Sequence, residues 1–266
     1  MIREIRCGFL DSLKETIMNE TILEVKNLCK DYESFRLQDI SFTIQRGRIM
    51  GLIGRNGAGK TTTMKSMLNM IRRSGGSVSY FGMDITKHER EIKQRIGYAG
   101  SQKGWYTRKR ISEIGRVTLG FYKNADPEAF AKYLELFDID PRKRPFELSE
   151  GMKVKLSIAL ALSHHAELLI LDEPTSGLDP VSRDELLDLF CWLRDEGVSI
   201  LFSTHITSDL DKCADDITYI AKGRMLASAP MEEYLQDCRE KGLGTNLEEI
   251  MISCEKEENY HEKHLF

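Results

Sequence analysis

A glycine-rich loop between an apolar run and a helical pattern constrains the fold of this chain more than any other feature. The run Ile49–Ile53 leads into Gly54–Thr61, GRNGAGKT, and apolar residues at helical spacing follow from Met64. A strand, a glycine turn and a helix in this order direct several backbone N–H groups and the positive end of the helix dipole at one point. We therefore predict an α/β fold with a phosphate-binding loop, in which Lys60 reaches the β- and γ-phosphates of a nucleotide and Thr61 gives a hydroxyl ligand to Mg²⁺.

Composition disfavours several other classes of protein. The 266 residues are 41% hydrophobic, which is enough for one large α/β domain. The net charge of −4 gives no basic surface for nucleic acid, and no apolar run is long enough to cross a bilayer. The six cysteines contain no C-x-x-C pair, a pattern typical of free thiols in a reducing cytosol. We expect no nucleic-acid partner and a chain that does not itself cross a membrane.

Two acidic residues follow a second apolar run. Leu168–Leu171 is followed directly by Asp172 and Glu173. An unbroken apolar run is typical of a strand buried on both faces, and ligands bind at the carboxyl ends of such strands in a parallel sheet. Asp172 is therefore a candidate Mg²⁺ ligand, and Glu173 is a candidate general base that polarises an attacking water. The alternative is that the two acids only begin a loop.

Three further candidates each have a structural alternative. Tyr32, between two predicted strands, is an aromatic that can stack on adenine or simply pack at a strand end. Ser149 precedes a helical pattern and is expected to cap that helix. The start of the helix then either presents backbone N–H groups to an anion or has no role beyond the cap. His205 ends the apolar run that begins at Val198, so it either contacts a γ-phosphate or has a structural role.

The patterns along the chain predict one domain with additions. Alternating apolar and polar residues over 21–44 predict an antiparallel pair of strands, and helical character over about 107–165 predicts an inserted helical subdomain. We assign residues 21–237 to the domain and residues 238–266 to a tail. Residues 1–20 form an extension that is either a short appended helix or lies outside the functional chain.

Two helices are predicted at positions that the structure can test. Leu148–Lys153 opens a helix that we place at Val154–Ser163. In the tail, Leu247, Ile250 and Met251 share one helical face, which predicts a small docking helix.

Taken together, these motifs resemble those of the nucleotide-binding subunits of ATP-binding cassette (ABC) transporters, over about residues 21 to 236. The match follows the order of the chain. Tyr32 corresponds to the adenine-stacking aromatic, and the Walker A motif corresponds to Gly54, Arg55, Asn56, Gly57, Ala58, Gly59, Lys60, Thr61 and Thr62. The later motifs correspond to Ser149 and Gly151 in the signature, Asp172 and Glu173 in Walker B, Ser176–Asp179 in the D-loop, and the switch histidine His205.

The resemblance implies an architecture, cofactors and partners. It implies the ABC ATPase fold, with a P-loop parallel-sheet core, an antiparallel β subdomain and an inserted α-helical subdomain. It also implies ATP and Mg²⁺, and two subunits that bind head to tail as a homodimer, so that Ser149, Gly151 and Asp179 of one copy meet the ATP of the other. The partner is a polytopic permease on another chain, and the location is the cytoplasmic face of the cell membrane.

Two motifs depart from the family pattern. The usual L-S-G-G-Q is Leu148–Met152, LSEGM, in which Glu150 adds a negative charge near an anion. A charged residue followed by Gly-Met-Lys resembles the signature of bacterial exporters of the ABC-2 type, including those of antibiotic and peptide resistance. At the Q-loop, the glutamine comes one residue later than usual, so either Ser101 or Gln102 makes the metal contact; we assign it to Gln102.

We expect the chain to be the ATP-hydrolysing subunit of a transporter, with Glu173, His205 and Lys60 as its catalytic residues and export as its direction. One alternative is a soluble ABC-type ATPase that acts on ribosomes or DNA. Another, suggested by Glu150, is a regulatory cassette that hydrolyses ATP weakly.

Overall fold

The computed structural model describes residues 20–100 and 108–263, and the strands within these ranges form one ten-stranded sheet. The strands are β1 (Thr21–Asp31), β2 (Arg36–Gln45), β3 (Ile49–Ile53), β4 (Gly75–Tyr80), β5 (Met83–Asp84), β6 (Ile96–Ala99), β7 (Leu168–Asp172), β8 (Ser199–Thr204), β9 (Asp216–Ala221) and β10 (Arg224–Pro230). The helices are α1 (Lys60–Met67), α2 (Ile85–Lys93), α3 (Ile111–Leu119), α4 (Pro127–Leu136), α5 (Glu150–Leu162), α6 (Pro180–Asp195), α7 (Thr207–Cys213), α8 (Met231–Glu240) and α9 (Leu247–Lys263).

One half of the sheet is parallel and buried on both faces. Its strand order is β9-β3-β8-β7-β6, and every pairing in this half is parallel. Alternate residues of β7 enter two different hydrophobic clusters: Leu169 and Leu171 join one, and Leu168 and Ile170 join the other. Both faces are therefore covered, which explains why the sequence of β7 is apolar at every position before Asp172. The prediction of a parallel core is confirmed.

The other half of the sheet is mostly antiparallel. Strand β1 pairs with β2 in antiparallel register, as the alternating sequence over 21–44 predicts, and on its other side it pairs antiparallel with β4. Strand β10 joins the two halves, because it pairs antiparallel with β9 and, at Arg224 and Gln38, parallel with β2. The loop after β3 and the turn after β1 therefore follow strands of the same continuous sheet.

The helical region contains α3, α4 and α5, and α5 begins earlier than predicted. Its first residue is Glu150 rather than Val154, since the Ser149 side chain accepts a hydrogen bond from the Met152 N–H and caps the helix there. The helix after the glycine loop begins at Lys60 and ends at Met67. Two residues later, Asn69 adopts a left-handed φ of 56°.

The tail packs against the domain through the predicted apolar face. Leu247 and Ile250 of α9 are buried, and Met251 packs against the same hydrophobic cluster. The docking helix is therefore confirmed, while the boundaries of the domain and of its helical subdomain stay predictions. Among the described residues, no helix is long and apolar enough to span a bilayer.

An ion cluster ties the entry of β3 to β6 and β7. Glu167 accepts hydrogen bonds from the guanidinium groups of Arg46, at 2.8 Å, and Arg95, at 2.5 and 3.0 Å. Burial raises the pKa of the Glu167 carboxyl, but the hydrogen bonds and charges of Arg95 and Arg46 outweigh it and hold the pKa below its ordinary value. Glu167 therefore stabilises the fold in its ionised form.

We expect Glu167→Gln to lower the free energy of unfolding at pH 7 by about 1–3 kcal/mol, because two guanidinium groups lose a charged partner. The folded pKa lies below the unfolded one, so this stabilisation is present above the unfolded pKa and is lost as the pH falls through the folded pKa. Urea denaturation from pH 7 to pH 3 measures the effect, with the exposed Glu232→Gln as control. A stability gap between wild type and Glu167→Gln that stays constant across this range would contradict the assignment.

Candidate ATP-binding site

The glycine loop after β3 packs against the start of β2 and the turn between β9 and β10. Gly59 has a φ of 117°, and a Cβ atom there would lie 2.9 Å from Leu37 Cδ1 and 3.0 Å from Phe35 Cζ. Glycine is therefore favoured at this position by the backbone conformation, and any side chain would also have to displace the ends of Leu37 and Phe35. The Ala58 carbonyl accepts a hydrogen bond from the Gly223 N–H, which ties the loop to the turn between β9 and β10. At the tip of the loop, Arg55, Asn56 and Gly57 are exposed to solvent.

Lys60 is buried at the start of α1 and points back into the loop. Its side chain is only 6% exposed, and its Nζ donates to the carbonyl oxygens of Gly54, at 2.6 Å, and Arg55, at 3.3 Å. The same Nζ lies 2.9 Å from Glu173 Oε1. The loop and the acid after β7 therefore converge on one ammonium group, as the sequence predicts for a shared phosphate site.

Thr61 and Asp172 meet beside Lys60. The Thr61 hydroxyl lies 3.0 and 2.9 Å from the two carboxylate oxygens of Asp172, which is 3% exposed. Asp172 also accepts a hydrogen bond of 2.7 Å from Ser203 Oγ, and that oxygen accepts one from the Glu173 N–H. Sequence reasoning missed Ser203, although its register opposite Asp172 makes it the residue that orients both acids.

Glu173 connects Lys60 to His205. Its Oε1 faces Lys60, and its Oε2 lies 2.8 Å from His205 Nδ1. Glu173 adopts a left-handed φ of 52°, a conformation that is costly for a residue other than glycine and that occurs mostly where function fixes the backbone. Glu173 therefore contacts both of the other predicted catalytic residues, at the carboxyl ends of β7 and β8 and the start of α1.

A second cluster joins the signature sequence to the D-loop. Gly151, in the first turn of α5, packs beside Leu178 and Ser182, since a Cβ atom there would lie 3.6 and 3.8 Å from their side chains. Asp179 caps α6 by accepting the N–H groups of Val181 and Ser182. Ser149 caps α5 next to this cluster. The predicted residues thus form two groups, one around Lys60 and one around Ser149.

The extra acid of the signature has a positive neighbour. Glu150 Oε1 lies 2.6 Å from Lys153 Nζ, one helical turn along α5. The local charge of this helix start is therefore balanced within the chain.

Two aromatic side chains lie in the turn between β1 and β2, and one of them packs against the loop. Tyr32 is 47% exposed, and Lys30 Nζ lies 4.8 Å above its ring centroid. Phe35, three residues later, lies directly against Gly59. Sequence reasoning singled out Tyr32 and missed Phe35, although both aromatics occur in the same turn between β1 and β2. The role of Tyr32 in adenine stacking stays a prediction.

The Q-loop assignment cannot be compared with the fold, because Ser101 and Gln102 lie outside the described residues. The strand that leads to them does end at the site. The pKa of the Tyr98 phenol in β6 is raised, mainly by burial and to a smaller extent by the negative charge of Asp172. Tyr98 is therefore an electrostatic neighbour of the site that the sequence did not reveal.

Comparison with known proteins gives the family. The family model described as "ABC transporter" matches residues 37–176, which is more than half of the chain. The chain belongs to the ABC transporter family. It is 35% identical over 219 residues to the bacitracin transport ATP-binding protein BcrA of Bacillus licheniformis, a match that covers 80% of this chain and 71% of that protein.

Two further relatives agree on the ATP-binding domain. The probable multidrug ABC transporter ATP-binding protein YbhF of Escherichia coli (strain K12) is 31% identical over 80% of this chain, which spans 38% of that longer protein. A solved structure of an ATP-binding subunit of an ABC transporter superposes with a TM-score of 0.77 at 29% identity and covers 87% of this chain and 98% of that one. The predicted ABC ATPase fold is confirmed, and the chain is an ATP-binding domain of this family.

Proposed function

We propose that this ABC protein hydrolyses ATP, and the observation that carries the proposal is the contact of Glu173 with both Lys60 and His205. Lys60 and the loop amides bind the β- and γ-phosphates, which leaves Glu173 beside the terminal phosphate. Glu173 then accepts a proton from the attacking water, while Lys60 and His205 offset the charge that develops on the transferred phosphoryl group. The contact of His205 with Glu173 fixes the direction in which the carboxylate points.

The residues around Asp172 suit Mg²⁺. A hydroxyl from Thr61 and a carboxylate from Asp172 are hard oxygen ligands, and Mg²⁺ is usually held by one or two such groups together with phosphate oxygens and water. When bound, Mg²⁺ would neutralise phosphate charge during the reaction. Asp172 would hold the ion, and Ser203 would keep the carboxylate in place.

We expect Asp172→Asn to reduce phosphate release by about 100-fold at a fixed low Mg²⁺ concentration and to raise the Mg²⁺ concentration that gives half-maximal activity. Ser203→Ala should cause a smaller change in the same direction, since it removes only the orienting hydroxyl. Colorimetric phosphate assays over a Mg²⁺ titration measure both effects. An unchanged Mg²⁺ dependence in Asp172→Asn would remove Asp172 from the metal site.

The second cluster supports action as a pair. Ser149 and Gly151 lie at the start of α5, where backbone N–H groups can meet an anion, and Asp179 caps the adjacent start of α6. We infer that a second copy presents this cluster to the ATP held by the first copy, so that ATP closes the pair and hydrolysis releases it. Lys153 balances the charge of Glu150, and that charge was the only feature that suggested a weakly active regulatory cassette.

The partner of the pair is a polytopic membrane permease on another chain, and the transport direction is export. The support comes from the relatives: one is named for bacitracin transport, and another for multidrug transport. In this role the protein binds peripherally to the cytoplasmic face of the membrane.

Purification of the tagged full chain from its native cell tests this role. We expect a multispanning membrane protein to copurify in detergent. In inside-out vesicles that contain this complex, ATP should cause the transported compound to accumulate inside, as export from the cytoplasmic face requires. Copurification with ribosomes or DNA, with no membrane protein present, would overturn the transport proposal. The ATPase activity of the purified complex separates a working cassette from a regulatory one.

A further inference from the structure

A fully buried carboxylate lies behind the site and takes no part in the chemistry proposed above. Asp209, in the first turn of α7, is 0% exposed. Its Oδ2 accepts hydrogen bonds from two hydroxyls, Thr175 Oγ1 at 2.5 Å and Thr204 Oγ1 at 3.2 Å. Burying a carboxylate is costly unless its hydrogen bonds compensate, so the two threonines are the reason that Asp209 is tolerated there.

The two threonines belong to the two segments that carry the reactive residues. Thr175 is two residues after Glu173, and Thr204 is the residue before His205. Thr204 Oγ1 also accepts the Ile206 N–H at 3.0 Å, which fixes the backbone on the other side of the histidine. One carboxylate oxygen therefore anchors both sides of the 2.8 Å contact between Glu173 and His205.

The other oxygen of Asp209 faces Arg183. Among the described residues, Asp209 Oδ1 and Arg183 Nε are buried atoms without a hydrogen-bond partner, and they lie 4.0 Å apart. Arg183 Nη2 reaches the Leu178 carbonyl at 3.5 Å, next to Asp179. Buried polar atoms without partners are rare in folded proteins, and a pair of opposite charge at this distance attracts strongly in a medium of low dielectric constant.

We propose that Asp209 is a positioning residue that holds the segment after Glu173 and the segment before His205 in a fixed position relative to each other. Arg183 connects these two segments to the D-loop. The proposal rests on the proposed ATP hydrolysis. It assigns Asp209 no contact with ATP. Its effect is to fix the direction of the Glu173 carboxylate, for which an error of about 1 Å can cost about 100-fold in rate.

A purely structural role predicts something different. If Asp209 only stabilised the fold, its replacement would lower the unfolding temperature, ATP affinity and turnover together. A positioning role predicts that turnover falls while ATP affinity stays, because Lys60 and the loop amides do not touch Asp209.

The kinetic test uses the full chain with Asp209→Asn, and with Asp211→Asn as the control on the exposed side of the same helix. We expect Asp209→Asn to lower kcat by about tenfold or more with the Kd for ATP changed by less than about twofold, and Asp211→Asn to change neither. Asp209→Glu keeps a carboxylate and should recover part of the rate. Asparagine keeps one oxygen that can accept both hydroxyls, so Asp209→Asn removes mainly the charge that faces Arg183. Thr175→Val removes one hydroxyl at nearly constant volume, so it tests the hydrogen bond itself, including the case in which Asp209→Asn fails to fold.

Hydrogen exchange gives a readout that does not need activity. We expect amides in residues 173–178 and 203–208 to exchange faster together in Asp209→Asn or Thr175→Val, and to stay protected in Asp211→Asn. Parallel loss of ATP binding and turnover, or faster exchange in only one of the two segments, would overturn the proposal. A wild type that binds ATP without releasing phosphate would instead refute the proposed hydrolysis, and the exchange result would still decide the role of Asp209.

Discussion

Glu173→Gln should abolish ATP turnover and leave ATP binding intact. The amide keeps the size of the side chain but cannot accept a proton from water, so we expect kcat to fall by about 100-fold or more. The Kd for ATP should change little, because phosphate binding depends on Lys60 and the loop rather than on the Glu173 carboxylate. Steady-state phosphate release and equilibrium binding of ATP to the same preparation measure the two effects.

The matched control is Glu196→Gln, at the exposed C-terminal end of α6, which should behave as wild type. The Gln variant also loses the charged partner of Lys60, so its unfolding temperature must be measured alongside the rate. Normal turnover in Glu173→Gln would remove the assignment of the general base. Equal losses of ATP binding and turnover would show that Glu173 acts in ATP binding rather than in the chemical step.

Lys60→Ala should have the largest effect on ATP affinity. The ammonium group is buried within the loop and is positioned to form charge-assisted hydrogen bonds with phosphate oxygens. Losing such contacts costs about 2–3 kcal/mol, which corresponds to a Kd weaker by about 30- to 150-fold. Isothermal titration with ATP measures the change, and Lys65→Ala, on the same helix, is the control.

The outcome of Lys60→Ala separates two descriptions of the loop. If Lys60 binds phosphate, ATP affinity falls while the fold survives, because Glu173 still has His205 as a partner. If Lys60 only pairs with Glu173 for stability, the unfolding temperature falls and ATP affinity changes little. The second result would refute the phosphate-binding role.

The sequence was sufficient to predict the parts of this fold that depend on local patterns. The run before Asp172 predicted a strand buried on both faces, and alternation over 21–44 predicted the antiparallel pair. The order of loop, acids and histidine along the chain predicted that Lys60, Glu173 and His205 would meet, because parallel strands bring their carboxyl ends to one edge. The family resemblance supplied the rest of the motifs.

The sequence was not sufficient for contacts that depend on register between distant segments. Ser203 orients Asp172 only because β8 pairs with β7 in one register, and no local pattern marks that serine. The same holds for Asp209 and Thr175, which are separated by 34 residues in the chain. The charge of Glu150, which suggested weak hydrolysis, is balanced by Lys153 through a side-chain geometry that spacing alone allowed but did not establish.

Mixing two inactive variants and measuring phosphate release tests whether two copies of the chain share each ATP. Lys60→Ala disables the loop and Ser149→Arg disables the signature cluster, so each variant alone should be inactive. If each ATP is bound by the loop of one copy and the signature cluster of another, the mixture should recover about a quarter of the wild-type rate, because half of randomly formed pairs contain one intact site of two. No recovery in a mixture whose chains still bind one another would contradict the two-copy site.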